Sequence, residues 1–131
     1  MKAFFLALAF VLPLCAAVTD GWIHDYGKGL ETAKKEHKDI YLFIGADKCR
    51  FCKKFKERTL SQPKVKARLN AHFVTVYLSR DRHDVPDGFE RFGAPRHYFL
   101  DADGKILDED AGYLNAEAFM TLIDDVLLYK E

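Results

Sequence analysis

An α/β fold, with a central mixed sheet flanked by helices on both faces, follows from three observations in this 131-residue sequence. Two short apolar runs, IYLFIGA (40–46) and FVTVYLS (73–79), are separated by helical sequence, the pattern of a buried parallel βαβ unit. A later stretch, RHYFLDADGKILDED, has the form of an antiparallel hairpin. A final amphipathic helix closes the chain, so one parallel crossover, one hairpin and helices before, between and after the strands argue a covered mixed sheet.

Each element has a local reason. In DYGKGLETAKKEHKD, Tyr26, Leu30, Ala33 and His37 recur at i, i+4, i+7 and i+11, which predicts an amino-terminal helix with one apolar stripe. The first strand, Ile40–Ala46, is apolar along both faces and reads as central. A second helix is expected from Cys49 to about Leu60, burying Cys52 and Phe55. Ser61-Gln62-Pro63 stops it and starts another, because proline is tolerated in a first helical turn; Val65 and Leu69 face inward from that restart. After the strand Phe73–Ser79 comes a polar loop, RDRHDVPDG, then the hairpin with Ala102-Asp103-Gly104 as its turn. Asn115 caps the last helix, whose inner face is Phe119, Leu122, Ile123, Val126 and Leu127.

Composition narrows the function. With 49% apolar and 31% charged residues the chain is an ordinary globule, and its zero formal charge gives no global case for nucleic acid as a partner. The first residues differ: one lysine, an apolar run from Ala3 to Val18, and small residues Ala16 and Ala17 before Thr19-Asp20. That is the pattern of an export signal. Cleavage is expected after Ala17, leaving residues 18–131 as one domain that is not embedded in a membrane. An uncleaved anchor and acylation at Cys15 are the alternatives, although Leu14 is bulky where acylation needs a small residue. The periplasm is the expected compartment, with the endoplasmic-reticulum lumen or secretion as alternatives.

Cleavage would remove Cys15 and leave Cys49 and Cys52 as the only cysteines. One closely spaced pair is not a disulfide scaffold. A haem anchor needs histidine directly after the second cysteine, where Lys53 stands. A zinc site needs four ligands; the histidines, at 24, 37, 72, 83 and 97, show no paired spacing and read as surface or packing residues, so no metal is expected. A purely structural bridge would close too small a loop to constrain the unfolded chain much.

Redox chemistry fits the position. A helix amino-terminus stabilises an anion through its unpaired N–H groups, and Lys48, Arg50, Lys53 and Lys54 add full positive charge around Cys49. Both effects favour thiolate over thiol. Cys52, one turn later, would lie inward, so the outer sulfur can attack a disulfide and the inner one can resolve the product.

The strand–CxxC–helix arrangement, Gly93-Ala94-Pro95 before an apolar strand, and FLDADGK together resemble the thioredoxin superfamily, over residues 20–131. Within it the chain is similar to small exported thioredoxin-like proteins of the bacterial periplasm and the endoplasmic reticulum. The resemblance implies a thioredoxin fold with an amino-terminal helical extension, Cys49 as nucleophile and Cys52 as resolving thiol. It implies that Pro95 is a cis-proline facing the pair, with Ala94 offering backbone groups to an extended substrate. Protein thiols and disulfides are then the substrates of a thiol–disulfide oxidoreductase, here inclined towards reduction. A membrane electron donor or oxidant is a possible partner, the redox disulfide is the only cofactor expected, and the protein is expected to be a monomer. A redox-inactive peptide-binding or chaperone module on the same fold is the alternative, against which the intact pair argues.

Departures from the family pattern locate specificity. Phe43 stands where thioredoxins carry a buried Asp, Lys48 where they carry Trp, Arg50-Phe51 where they carry Gly-Pro, and Arg96 where they carry Thr. Arg50 and Phe51 are therefore expected to contact substrate, and Lys48 and Lys53 to tune the Cys49 thiol. Nine basic residues against one acid between Lys48 and Arg68, and nine acids against two lysines from Asp101 to Glu131, make the molecule electrically polar.

Overall fold

The computed structural model describes residues 17–129; of the segment read as an export signal, all but Ala17 lies outside them. A short 3-10 turn, Val18–Gly21, leads into α1 (Tyr26–Glu36), β1 (Asp39–Gly45) and α2 (Arg50–Phe55). A π-helical turn, Lys56–Leu60, continues α2. Then follow α3 (Pro63–His72), β2 (Phe73–Ser79), β3 (Arg96–Leu100), β4 (Ile106–Ala111) and α4 (Ala116–Leu128). Strand order is β2-β1-β3-β4, with β1 parallel to β2 and antiparallel to β3, and β3 antiparallel to β4.

The sheet is mixed and has helices on both faces. Successive side chains of a strand point to opposite faces, and β1 is buried along its whole length. Tyr41 and Phe43 join Phe55, Leu60, Leu69, Phe119 and Ile123 in a core beneath α2, the π turn, α3 and α4. Ile40, Leu42 and Ile44 meet Val74, Val76 and Leu78 on the other face, under Ala33 of α1 and Val85 of the loop before β3. The outer side of β2 is bridged by the chain around Ile23, whose N–H donates to the Thr75 carbonyl and whose carbonyl accepts from Tyr77 N–H.

Caps follow the sequence. Asp25 accepts the Lys28 N–H, Asn115 accepts the Ala118 N–H, and Pro63 opens α3. The hairpin turn requires its glycine: Gly104 has φ +87°, and a Cβ there would lie 2.5 Å from the Tyr26 hydroxyl. Two expectations need correction. The α1 stripe does not reach His37, which is exposed in the left-handed region (φ 54°) as the helix C-cap. The first strand begins at Asp39 and ends at Gly45, one residue earlier than its apolar run suggests.

Candidate active site

The sheet aims the end of β1 at the start of α2, and that junction holds the two cysteines. Cys49 is the N-cap of α2: its backbone is extended (φ −133°) and its Sγ accepts the Cys52 N–H at 3.1 Å. The two residues are joined as a disulfide, with Cα atoms 5.2 Å apart. Cys49 is half-buried and Cys52 is 2% exposed, packed into the same core as Phe55. Helical spacing accounts for this difference: Cys52 shares the inward face of α2 with Phe55, three residues on.

Across from the disulfide, the Ala94–Pro95 peptide bond is cis, and the Ala94 carbonyl oxygen lies 3.7 Å from Cys49 Sγ. Pro95 is buried and its carbonyl accepts the Gly112 N–H at 2.8 Å, which ties this loop to the end of β4. The structure thus gathers Cys49, Cys52, Ala94 and Pro95 in one place. Arg50 and Phe51 sit on the exposed first turn of α2, the guanidinium 5.4 Å from the ring centroid, with Phe51 49% exposed. Lys48 is exposed in the β1–α2 loop, whereas Lys53 reaches along the helix to Glu57, 3.9 Å away.

Phe92 and Lys56 are neighbours that nothing in the sequence singles out, whereas Arg96 is marked by its departure from the family pattern. Phe92 is 64% exposed, two residues before Ala94, under the Arg80 guanidinium at 5.1 Å. Arg96 donates to the Phe92 carbonyl and so holds this loop in shape. On the other side of the disulfide, a cleft of about 630 Å³ is lined by both cysteines, Val18, Asp47, Lys53, Lys56 and Glu57. At the mouth of the cleft the Ser79 hydroxyl and the Arg82 guanidinium both donate to Asp47, which holds that carboxyl below its ordinary value.

Beneath the site, His97 is fully buried between Tyr41 and Gly112. The Gly112 carbonyl can only accept, so Nε2 carries the proton and donates at 2.8 Å. Nδ1 of the neutral ring then accepts from the Tyr41 hydroxyl at 2.7 Å. Burial lowers the His97 pKa to about 4, although the Gly112 hydrogen bond and Asp110 pull the other way. The reading of lone histidines as surface or packing residues covers it, but a strand position with period-two spacing from Phe99 could have placed it inward. Among the described residues, no group of three or more His, Cys, Asp or Glu side chains is placed to hold a metal ion.

The thioredoxin-like domain family matches residues 26–127. An uncharacterised protein of Archaeoglobus fulgidus is 29% identical over 94 residues, covering 66% of this chain and 73% of that protein. Among solved structures, a thioredoxin from Thermus thermophilus superposes with a TM-score of 0.67 at 20% identity, covering 81% of this chain and 86% of its own. A DsbH oxidoreductase superposes equally well, TM-score 0.67 at 24% identity, covering 92% of each chain. At these identities the two structural likenesses are likenesses of fold.

Proposed function

We propose that this chain, which belongs to the thioredoxin-like domain family, is an exported thiol–disulfide oxidoreductase acting on protein substrates. One observation carries the reading: a half-buried Cys49 sulfur bonded to a buried Cys52 at the start of a helix, facing the Ala94–Pro95 loop. In the reduced protein the Cys49 thiolate attacks a substrate disulfide, a mixed disulfide forms, and the displaced substrate sulfur takes up a proton. Cys52 then attacks the Cys49 sulfur, the second substrate thiolate leaves, and the intramolecular disulfide is restored. Two electrons pass from the protein to the substrate, and a dithiol donor outside the chain must return them.

The electrostatics support Cys49 as the attacking group. The Cys52 N–H already donates to its sulfur, and Lys48 and Arg50 flank it in sequence. Ala94 and Pro95 supply backbone against which an extended substrate strand can lie, while Arg50 and Phe51 present a cationic and an aromatic surface to whatever follows its cysteine. Reduction is the direction we favour, from the family resemblance. Export to the periplasm fits a chain with the apolar leader described above, and among the described residues no helix is long and apolar enough to cross a membrane.

The test is insulin reduction with dithiothreitol as donor, comparing the protein with Cys49→Ser. Strong acceleration by the protein and none by the variant is the expected result; equal rates would falsify the assignment. The basic face between Lys48 and Arg68 leads to a second expectation. Reaction with an acidic protein disulfide should slow about threefold or more between low and physiological salt, because screening shortens the reach of that face. A flat salt response in stopped-flow rates would remove steering from the account.

A further inference from the structure

Cys52 is 2% exposed in an apolar core with Phe43 and Phe55, where forming its thiolate is costly unless a positive charge lies nearby. The cleft beside the disulfide holds a candidate. Lys56 lies one turn after Cys52, and its N–H donates to the Cys52 carbonyl, which keeps the two side chains on neighbouring positions of one helix face. Both side chains line the cleft. The Lys56 ammonium is set over aromatic rings: its Nζ is 4.1 Å from the Tyr77 centroid and 5.8 Å from that of Phe43. Phe43 and Tyr77 are register partners on β1 and β2, so the platform beneath the lysine is built by the sheet itself.

We propose that Lys56 is the residue that stabilises the Cys52 thiolate, its ammonium supplying the positive charge against which Cys52 gives up its proton to resolve the mixed disulfide. This inference rests on the oxidoreductase reading above. In the resolving step the Cys52 thiolate forms the Cys49–Cys52 bond, the bond from Cys49 to substrate breaks, and the substrate thiolate leaves and is protonated by solvent. Lys56 keeps its proton throughout.

The surroundings favour this pairing. Lys56 makes no ion pair within 4.0 Å among the described residues, whereas neighbouring Lys53 is engaged by Glu57. Burial, with Arg82 adding repulsion, pushes the Lys56 amine below its ordinary value; Asp20 and Asp47 act in the opposite sense. The other charged or titratable groups around it are Lys53 and Glu57 in the cleft, Tyr77 beneath and, once the leader is cleaved after Ala17, the Val18 amino group. A half-buried cation without a bonded carboxylate is stabilised by an anion formed in the same cleft, and the coupling is reciprocal: its charge lowers the proton affinity of Cys52.

The experiment uses the reduced full chain carrying Cys15→Ala, so that Cys49 and Cys52 are the only thiols, and Ellman's reagent in stopped-flow. The first thionitrobenzoate is released when Cys49 attacks, and the second when Cys52 resolves the adduct. For Lys56→Gln and the isosteric Lys56→Met, the second release should slow about tenfold at neutral pH, with its pH midpoint raised by about one unit. The first release should stay within about twofold of wild type. Lys56→Arg keeps the charge and should restore the second step. The Cys52 midpoint, followed by NMR of cysteine-labelled reduced protein, should move in the same order. An unchanged midpoint in Lys56→Gln, or failure of Lys56→Arg to restore it while folded, overturns the proposal. A wild-type protein that never releases the second thionitrobenzoate overturns the oxidoreductase reading instead, and this inference with it.

Discussion

Cys52→Ser is expected to turn a catalyst into a stoichiometric trap. Substrate can reach the half-buried Cys49, whereas Cys52 is 2% exposed and meets only what is bonded to its neighbour. Removing the second sulfur therefore leaves the first attack intact and abolishes the exit. Resolution inside one helical turn, with Cα atoms 5.2 Å apart, gains the advantage of an intramolecular reaction, and external thiol at ordinary concentration does not replace it. Turnover should fall by about a thousandfold or more. A covalent adduct with substrate should accumulate and be visible by mass spectrometry under non-reducing conditions. A hydroxyl in this apolar pocket costs about 1–3 kcal/mol, so a thermal melt must accompany the assay. Turnover within tenfold of wild type by a folded variant would show that Cys52 is not the resolving thiol.

A second large effect concerns acid stability. His97 is neutral in the folded chain, with its pKa lowered from 6.5 to about 4 by burial. Between these values the unfolded chain binds a proton that the folded chain refuses, so stability falls as pH falls through that window and is unaffected by this group above it. The loss amounts to about 3 kcal/mol on reaching pH 4. Protonation would also turn Nδ1 from acceptor to donor and oblige the Tyr41 hydroxyl to reverse its role. Denaturant unfolding of wild type and His97→Gln at pH 7 and near pH 4 checks this. The variant should start less stable and lose about 3 kcal/mol less across the window. Parallel losses in the two proteins would assign the acid sensitivity to other groups.

These two residues illustrate what the sequence makes legible. The cysteine pair is local information: a strand, a short loop and an N-cap occupy consecutive residues, so spacing alone placed one sulfur outward and one inward. That Phe43 stands where the family carries a carboxylate comes from the resemblance and not from spacing. Lys56 was not legible, because within a run of nine basic residues it reads as one more solvated charge. Its half-buried position is set by Tyr77, 21 residues on, through the pairing of β1 with β2. His97 likewise depends on Tyr41, 56 residues away, and on the carbonyl at Gly112. His37 failed for the opposite reason: the stripe was extended by arithmetic past the point where the backbone turns left-handed. Period and spacing recover elements and their faces; the proton inventory of a core waits on which strands meet.

The two margins of the sheet have different fates. On β2 the backbone groups of Thr75 and Tyr77 are taken by Ile23, so a strand added at the middle of that margin would have to displace it. Along β4, among the described residues, the backbone has a strand on one side only, and Ile106 and Leu107 are exposed beside it. Such a margin is a template for strand addition and aggregation. Here it bears Asp108, Glu109 and Asp110 in succession. Two copies meeting margin to margin would crowd their carboxylates together, and the repulsion opposes fibre growth while leaving a basic extended peptide free to approach.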